Sequence, residues 1–378
     1  MTRIKLFFLL LALCFYSCST QPRVQDEKQD KIPPGEDYIT IVAAGDNIIH
    51  DPILKDCRKD DTYNFNSIYE HIRAYILPAD IAFVNQETIL GNSTLGYSGY
   101  PLFSTPREAG AALVTAGFSV VNHATNHIMD RGEEGVLSSM DYWDSIGKIR
   151  YLGIHRSEGA NRPVIISKNN FKVGFLSFTY GTNNIPVPAD KPYLVSLIDP
   201  EIMAKEIDSL RPLCDYLVVS MHWGEEYRQE SSKNQENLAL FLSEHKVDLV
   251  IGHHPHVLEP LAFINRSDGG VMTVFYSLGN FLAAHVRPVK EALLGGLMYV
   301  RVKKTQGKIS VEETGLIPTI IHYDSNLSGF GIYPLSEYSE ELAEKHWKRK
   351  NDGEMTVDFL TKKARDLFGP YLILRNPF

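Results

Sequence analysis

Short apolar runs, each followed closely by polar residues able to bind a metal, set the pattern of this chain. Residues 38–44 lead into Asp46 and His50, 81–84 into Asn85 and Glu87, and 118–121 precede Asn126 and His127. Residues 216–221 are closed by His222, and 247–251 by Gly252-His-His-Pro-His256. Runs of this kind read as buried strands, and polar groups at their exits gather along one edge of a sheet. Helical spacing appears in 66–77, 106–116, 133–146, 200–210 and 234–245. The alternation predicts an α/β architecture. Further on, 271–277, 296–303 and 308–316 follow one another with little helix between them, as in a hairpin-rich second sheet. The expectation is two sheets with outer helices, then a charged, helical stretch over 335–378.

The first residues add a compartment. Residues 1–5 are basic and 6–16 apolar, a stretch too short to span a bilayer but built like the core of a signal peptide. It ends in Phe15-Tyr-Ser-Cys18, which resembles the lipobox of bacterial lipoproteins, where the cysteine is acylated after cleavage. The expected organisation is a leader over 1–17, lipidation at Cys18 and a flexible tether over 18–37. A main domain over 38–320 and a C-terminal helical extension over 321–378 follow. Such a chain belongs in the cell envelope, anchored to a membrane at the outer-membrane or periplasmic face. Lys and Arg total 38 against 46 acidic residues, a net charge of −8, and loss of Arg3 and Lys5 with the leader deepens it. That balance disfavours nucleic acid as a partner and repels polyanions unless a local cation offsets it. Cys57 and Cys214 remain after processing, and nothing in their spacing demands a disulfide.

Six segments carry a more specific likeness. Gly45-Asp46-Asn-Ile-Ile-His50, Asn85-Gln-Glu87 and Thr125-Asn-His-Ile-Met-Asp130-Arg-Gly132 come first. His222-Trp-Gly-Glu225, Gly252-His-His-Pro-His-Val257 and Tyr276-Ser-Leu-Gly-Asn-Phe281 follow in that order. Together they resemble the CapA family of poly-γ-glutamate capsule biosynthesis proteins, a branch of the calcineurin-like metallophosphatase superfamily. The resemblance implies a four-layer α/β/β/α sandwich holding two divalent metals at its strand ends. It assigns Asp46 and His50 to the first motif, and Glu87 or Asn85 to the bridging position. Asn126, His222, His254 and His256 complete the metal ligands, with His253 in a variable position. It places His127 toward substrate, and Glu259 stands where relatives commonly have Gln.

The ligand types suit Mn, Zn or Fe, since imidazole and carboxylate oxygen are what borderline and hard dications prefer. His127 is the candidate general acid and Glu225 its candidate partner, with Asp130 capping or orienting the Asn126-His127 loop. The leading expectation is a lipid-anchored, metal-dependent hydrolase or transferase acting on a capsule polymer or envelope peptide, beside a capsule synthase complex. Two alternatives stand next to it. One is a non-catalytic assembly subunit that binds an anionic polymer through Arg131, Arg228, Lys233 and Arg287. The other is a peptide epimerase using His127 and Glu225. If the metal reading holds, Asp46, Glu87 or Asn85, Asn126, His222, His254 and His256 should converge on one point, with His127 and Glu225 on its open side.

Overall fold

The computed structural model describes residues 36–158, 163–284, 289–351, 353 and 355–378. The leader, Cys18, all but the last residues of the expected tether, and Arg287 lie outside the described residues. The chain opens with β1 (Glu36–Asn47), α1 (Asp51–Cys57) and a small hairpin of β2 (Arg58–Lys59) and β3 (Thr62–Tyr63). Next come β4 (Ile81–Gln86), α2 (Arg107–Ala116), β5 (Val120–Asn122), α3 (Gly132–Ile146) and β6 (Arg150–Leu152). The middle of the chain carries β7 (Val164–Lys168), β8 (Phe171–Thr179), α4 (Pro200–Leu210), β9 (Tyr216–His222) and α5 (Lys233–Glu244). It continues through β10 (Leu249–His253), β11 (Leu261–Asn265) and β12 (Val271–Phe275). Last are β13 (Asn280–Leu282), β14 (Leu294–Thr305), β15 (Lys308–His322), β16 (Gly331–Pro334), α6 (Glu340–Lys345), α7 (Trp347–Asn351) and α8 (Val357–Phe368).

These strands form two large sheets. One runs β16-β15-β14-β1-β4-β5-β6, with β13 also pairing β1, and the other runs β11-β12-β10-β9-β8-β7. Strands β1, β4, β5 and β6 are parallel, as are β8, β9, β10 and β12, so their C-terminal ends share one pole. Strand alternation explains the layering. In β9, Tyr216 and Val218 join the large core that includes the first sheet, while Leu217, Val219 and Met221 turn outward. The outward set packs on Met203, Ile207 and Leu210 of α4 and Leu238 and Leu242 of α5. Full burial of such a side chain stabilises the fold by about 1.5–3 kcal/mol. The α/β/β/α sandwich with a helical C-terminal segment is therefore the architecture of this chain.

Local signals set the helix limits. Asp199 accepts hydrogen bonds from the backbone N–H groups of Glu201 and Ile202, and Pro200 opens α4. A capping box of Ser232 and Gln235 starts α5. Among the described residues, no helix is long and apolar enough to cross a membrane.

Four expectations change. The segment 66–77 is two short 3-10 turns, Asn66–Tyr69 and Arg73–Tyr75, and not an α-helix. Its β-branched and aromatic residues lose side-chain freedom in a helix, and Tyr69 Oη is drawn to Asn47 Oδ1 at 2.8 Å. The late strands β14, β15 and β16 extend the first sheet antiparallel from β1, and only β11 and β12 join the second. The β7–β8 hairpin is an addition. Residues 321–378 begin in β15 and contain β16 before any α-helix. Cys57 and Cys214 are free thiols, Cys57 buried and Cys214 half-buried.

Candidate metal centre

The polar cluster is built at the shared pole because the backbones there approach unusually closely. An ideal Cβ at Gly45 would lie 1.9 Å from Gly279 O, and one at Gly252 would lie 1.8 Å from Tyr276 O. Side chains are excluded at both points, so the 278–279 turn nests against both sheets. Asp46 N donates to Gly279 O (2.9 Å) and Leu278 N to Gly252 O (3.1 Å). The motif 276–281 thus acts as a support, as its sequence suggests.

Asp46 is fully buried at the centre. Its Oδ2 accepts from His254 N at 3.2 Å and faces His256 Nδ1 at 3.1 Å. Its Oδ1 accepts from Asn85 Nδ2 at 2.8 Å, and Asn85 Oδ1 in turn accepts from Asn122 Nδ2 at 2.7 Å. Asn85 is therefore a positioning residue for Asp46, its amide engaged at both ends, and Glu87 is the carboxylate at this strand exit. His253 Nδ1 lies 3.4 Å from Asp46 Oδ1, so the residue assigned to a variable position buttresses Asp46 from the core side. Asn122 and His253 each end a strand, a signal that could have singled them out.

His222 Nε2 is 2.9 Å from Asn126 Oδ1, and Asn126 Nδ2 donates to Asn183 Oδ1 at 3.2 Å. The amide oxygen only accepts, so the proton sits on His222 Nε2 and Nδ1 is left with a lone pair. That Nδ1 has no hydrogen-bond partner among the described residues, nor do both carboxylate oxygens of Glu87 or Nδ1 of His254. All three residues are buried. One ligand atom each from Asp46, Glu87 and His222 lie within 4.8 Å of one another, as do those from Glu226, His254 and His256. His50 is in neither group. Its Nδ1 accepts from Ala284 N at 3.2 Å, its ring meets Phe103 edge-on, and it lines the cavity above the cluster.

That cavity holds about 530 Å³ and is also lined by Tyr100, Glu226, Tyr227 and His127. His127 Nδ1 is 2.8 Å from Asp130 Oδ2, which also accepts from Phe103 N at 2.8 Å. Asp130 thus orients His127 as expected and leaves Nε2 for the cavity side. Glu225 departs from expectation. It is exposed, paired with Arg228 at 3.2 Å, and Glu226 takes the place beside the cluster. Left-handed backbone at Gly224 (φ 91°) and Tyr227 (φ 63°) brackets the turn that carries both carboxylates.

Electrostatics fit a cation. Burial, with Asp46 and Glu226 near, pushes the Glu87 carboxyl well above the usual range. Burial would raise Asp46 too, but its contacts with His253 and His256 hold it well below. Burial pushes the His50 and His254 imidazoles down to about 3, and His222 well below its ordinary value. Against the opposing effect of burial, Glu87 and Asp46 raise His256 to about 9. Neutral imidazoles with unshared lone pairs beside two buried carboxylates are the donor set a dication takes by displacing protons. The residues present fit the implied metal.

Glu259 gives a separate prediction. It is buried, accepts from Gln235 Nε2 at 2.6 Å through Oε2, and its Oε1 has no partner among the described residues. Burial raises its carboxyl from its ordinary value of 4.5 to about 8. A carboxyl raised on folding favours the fold at low pH, and that stability is lost as pH rises through the folded value. Stability should therefore fall between about pH 5 and pH 8. Glu259→Gln should stabilise the protein by about 2–4 kcal/mol near pH 9 and change little near pH 5. Urea unfolding at both pH values checks this; equal shifts at both would contradict it.

A family model described as "Bacterial capsule synthesis protein PGA_cap" matches residues 40–285. The "PGA biosynthesis protein CapA" of Bacillus subtilis (strain 168) is 31% identical over 184 residues, covering 47% of this chain and 46% of the relative. The "Capsule biosynthesis protein CapA" of Bacillus anthracis is 28% identical over 230 residues, covering 58% and 54%. The chain thus spans about half the length of these curated relatives. A solved structure, the calcineurin-like phosphoesterase YfkN from Bacillus subtilis, aligns with a TM-score of 0.46 at 16% identity, covering 87% of this chain and 99% of that one.

Proposed function

Because the chain belongs to the bacterial capsule synthesis PGA_cap family, whose model covers residues 40–285, we propose that it is a metal-dependent hydrolase or transferase acting on a capsule polymer or envelope peptide. One observation carries the reading. Both Glu87 oxygens, His222 Nδ1 and His254 Nδ1 are buried without hydrogen-bond partners among the described residues. A buried, unpaired polar atom costs roughly 1–3 kcal/mol, and four in one cluster make sense as ligands.

Asp46, Glu87, His222, His254 and His256 are the residues that would hold the cation, with Asn85, Asn122 and His253 fixing Asp46. A dication bound there acts as a Lewis acid on the scissile group and lowers the pKa of water from 15.7 toward about 7. The chain's own part is proton handling and positioning. Asp130 holds His127 through Nδ1, so a second proton carried at Nε2 faces the cavity and can pass to a leaving group there, a role typically worth about 10²–10⁴-fold. Phe103 closes edge-on against both His127 and His50 and excludes water from that side.

The two alternatives have less support. Glu225 is exposed and paired with Arg228, which leaves the expected epimerase pair with less support. Of the cations offered for an anionic polymer, Arg131 donates to Ser98 Oγ and Leu102 O, Arg228 pairs with Glu225, and Lys233 pairs with Glu236. The test is a screen of γ-glutamyl peptides and phosphoesters with Mn, Zn and Fe. Turnover that chelation abolishes and one of these metals restores is expected; turnover indifferent to chelation would end the metal reading.

The envelope placement is part of this proposal, with Cys18 as the lipid-bearing residue. Cys18→Ala should release the protein from the membrane fraction, read by fractionation and blotting. Unchanged attachment would defeat it.

A further inference from the structure

We infer that the cavity above the metal centre receives an uncharged glycan, its sugar rings laid on the exposed tyrosines Tyr100, Tyr227 and Tyr180 at and beside the mouth. This rests on the function proposed above and narrows it to one class of capsule polymer. Tyr100 is 67% exposed, Tyr180 48% and Tyr227 41%. Tyr100 and Tyr227 line the cavity, and Tyr180 stands beside it, its ring centroid 4.6 Å from that of His254. A single large ring left in solvent needs no explanation, but three gathered about one cavity mark a binding surface.

The backbone holds these rings ready. Tyr100 sits on the loop 98–104, which Ser98 and Ser104 close with backbone hydrogen bonds of 3.1 and 3.0 Å. Asp51 Oδ1 accepts from Gly99 N at 2.9 Å, and Arg131 donates to Ser98 Oγ and Leu102 O. The Tyr100 ring then meets Phe103 edge-on, with centroids 6.2 Å apart. Tyr227 N donates to Pro255 O at 2.7 Å, and Tyr180 N to His222 O at 3.0 Å. Platforms tied in this way have little freedom left to lose when a ligand settles on them.

The chemistry of the rings selects the ligand. A tyrosine offers an apolar face with a hydroxyl at its edge. A sugar ring presents the matching pair, a C–H face with hydroxyls around it, whereas a γ-glutamyl chain presents a carboxylate on every unit and no ring. Among the described residues, no Lys or Arg lines the cavity, and Glu226 adds an exposed carboxylate to its wall. Arg131 is committed to the loop it supports, and Arg228 to Glu225 at 3.2 Å. A dication in the centre would offset one negative charge at the scissile group. The flanking units of a polyanion would still meet tyrosine and carboxylate with no cation to pair, a like-charge cost that a neutral chain escapes.

An array of neutral oligosaccharides, acidic oligosaccharides and γ-glutamyl oligomers, probed with the purified full-length protein and followed by calorimetric titration of the best binder, tests this. Wild type should bind neutral oligosaccharides above both anionic sets. Tyr100→Ala and Tyr227→Ala should each weaken that binding roughly tenfold, the loss of one stacked ring, while Tyr100→Phe stays within about threefold of wild type. Leu240→Ala, which trims an exposed side chain of α5, should change nothing, and circular dichroism should show all four variants folded like wild type. Strongest binding to the γ-glutamyl or acidic set would overturn the inference. So would a failure to bind any neutral oligosaccharide, or neutral binding that both alanine variants leave intact. If the same protein holds Mn or Zn, such a result overturns the glycan inference and leaves the metal centre standing. Neutral binding as described by a chain that takes up neither metal would overturn the metal reading alone.

Discussion

Asp46→Asn should lower metal-dependent turnover by about 10³-fold or more, beyond the roughly 10–100-fold that loss of an outer partner of a metal ligand typically costs. The carboxylate is one of three groups framing the buried site, and it also orients His256. An amide keeps the shape but not the charge. Three donors converge on the two Asp46 oxygens, from Asn85, His254 N and His256, so one of them must face the new amide nitrogen. A stability loss of about 1–3 kcal/mol should accompany the kinetic one. Both are readable together, by steady-state kinetics across metal concentrations and by thermal melts. A chain with Asp46→Asn that keeps its turnover or its cellular role would favour a scaffold over an enzyme.

Gly252→Ala should be the most damaging of the small changes. The added methyl would sit 1.8 Å from Tyr276 O and 2.8 Å from Phe275 O, all rigid backbone of the neighbouring strand and turn. Overpacking a core costs about 1–3 kcal/mol when side chains can yield, and here only backbone is available to move, so about 3 kcal/mol or more is expected. The displacement falls at the root of the segment carrying His253, His254 and His256, so metal affinity should fall as well. Gly353→Ala, where the added methyl meets nothing within 4 Å among the described residues, is the control and should stay within about 0.5 kcal/mol of wild type. Urea unfolding of the two variants decides it; equal stabilities would mean that the strand and turn are looser than their contacts imply.

The residues differ in how far their roles can be read from order alone. Asp46, Glu87, His222, His254 and His256 follow apolar runs that are strands, and parallel strands deliver their ends to one pole, so period and position suffice. Asn85 and His253 occupy the same kind of position, yet their roles depend on which neighbour takes their hydrogen bonds. That is a fact of tertiary packing. The exchange of Glu225 for Glu226 has a similar cause. Left-handed backbone at Gly224 and Tyr227 brackets the turn that carries both carboxylates, and a bulky Tyr gives no hint of such a conformation. At the level of the fold, the runs forming β14 and β15 were visible, but their sheet was not. Antiparallel pairing with β1 is set by the return of the chain through 278–282, where Asp46 pairs with Asn280.

The central claim is that buried lone pairs of Glu87 and His222, with Asp46, surround a divalent cation. Anomalous X-ray diffraction from crystals soaked in Mn or Zn tests this most directly. A peak should stand among Asp46, Glu87 and His222, with ligand atoms at about 2.0–2.2 Å for Zn. Well-diffracting soaked crystals with no peak at that position, and the three side chains placed as described above, would contradict it.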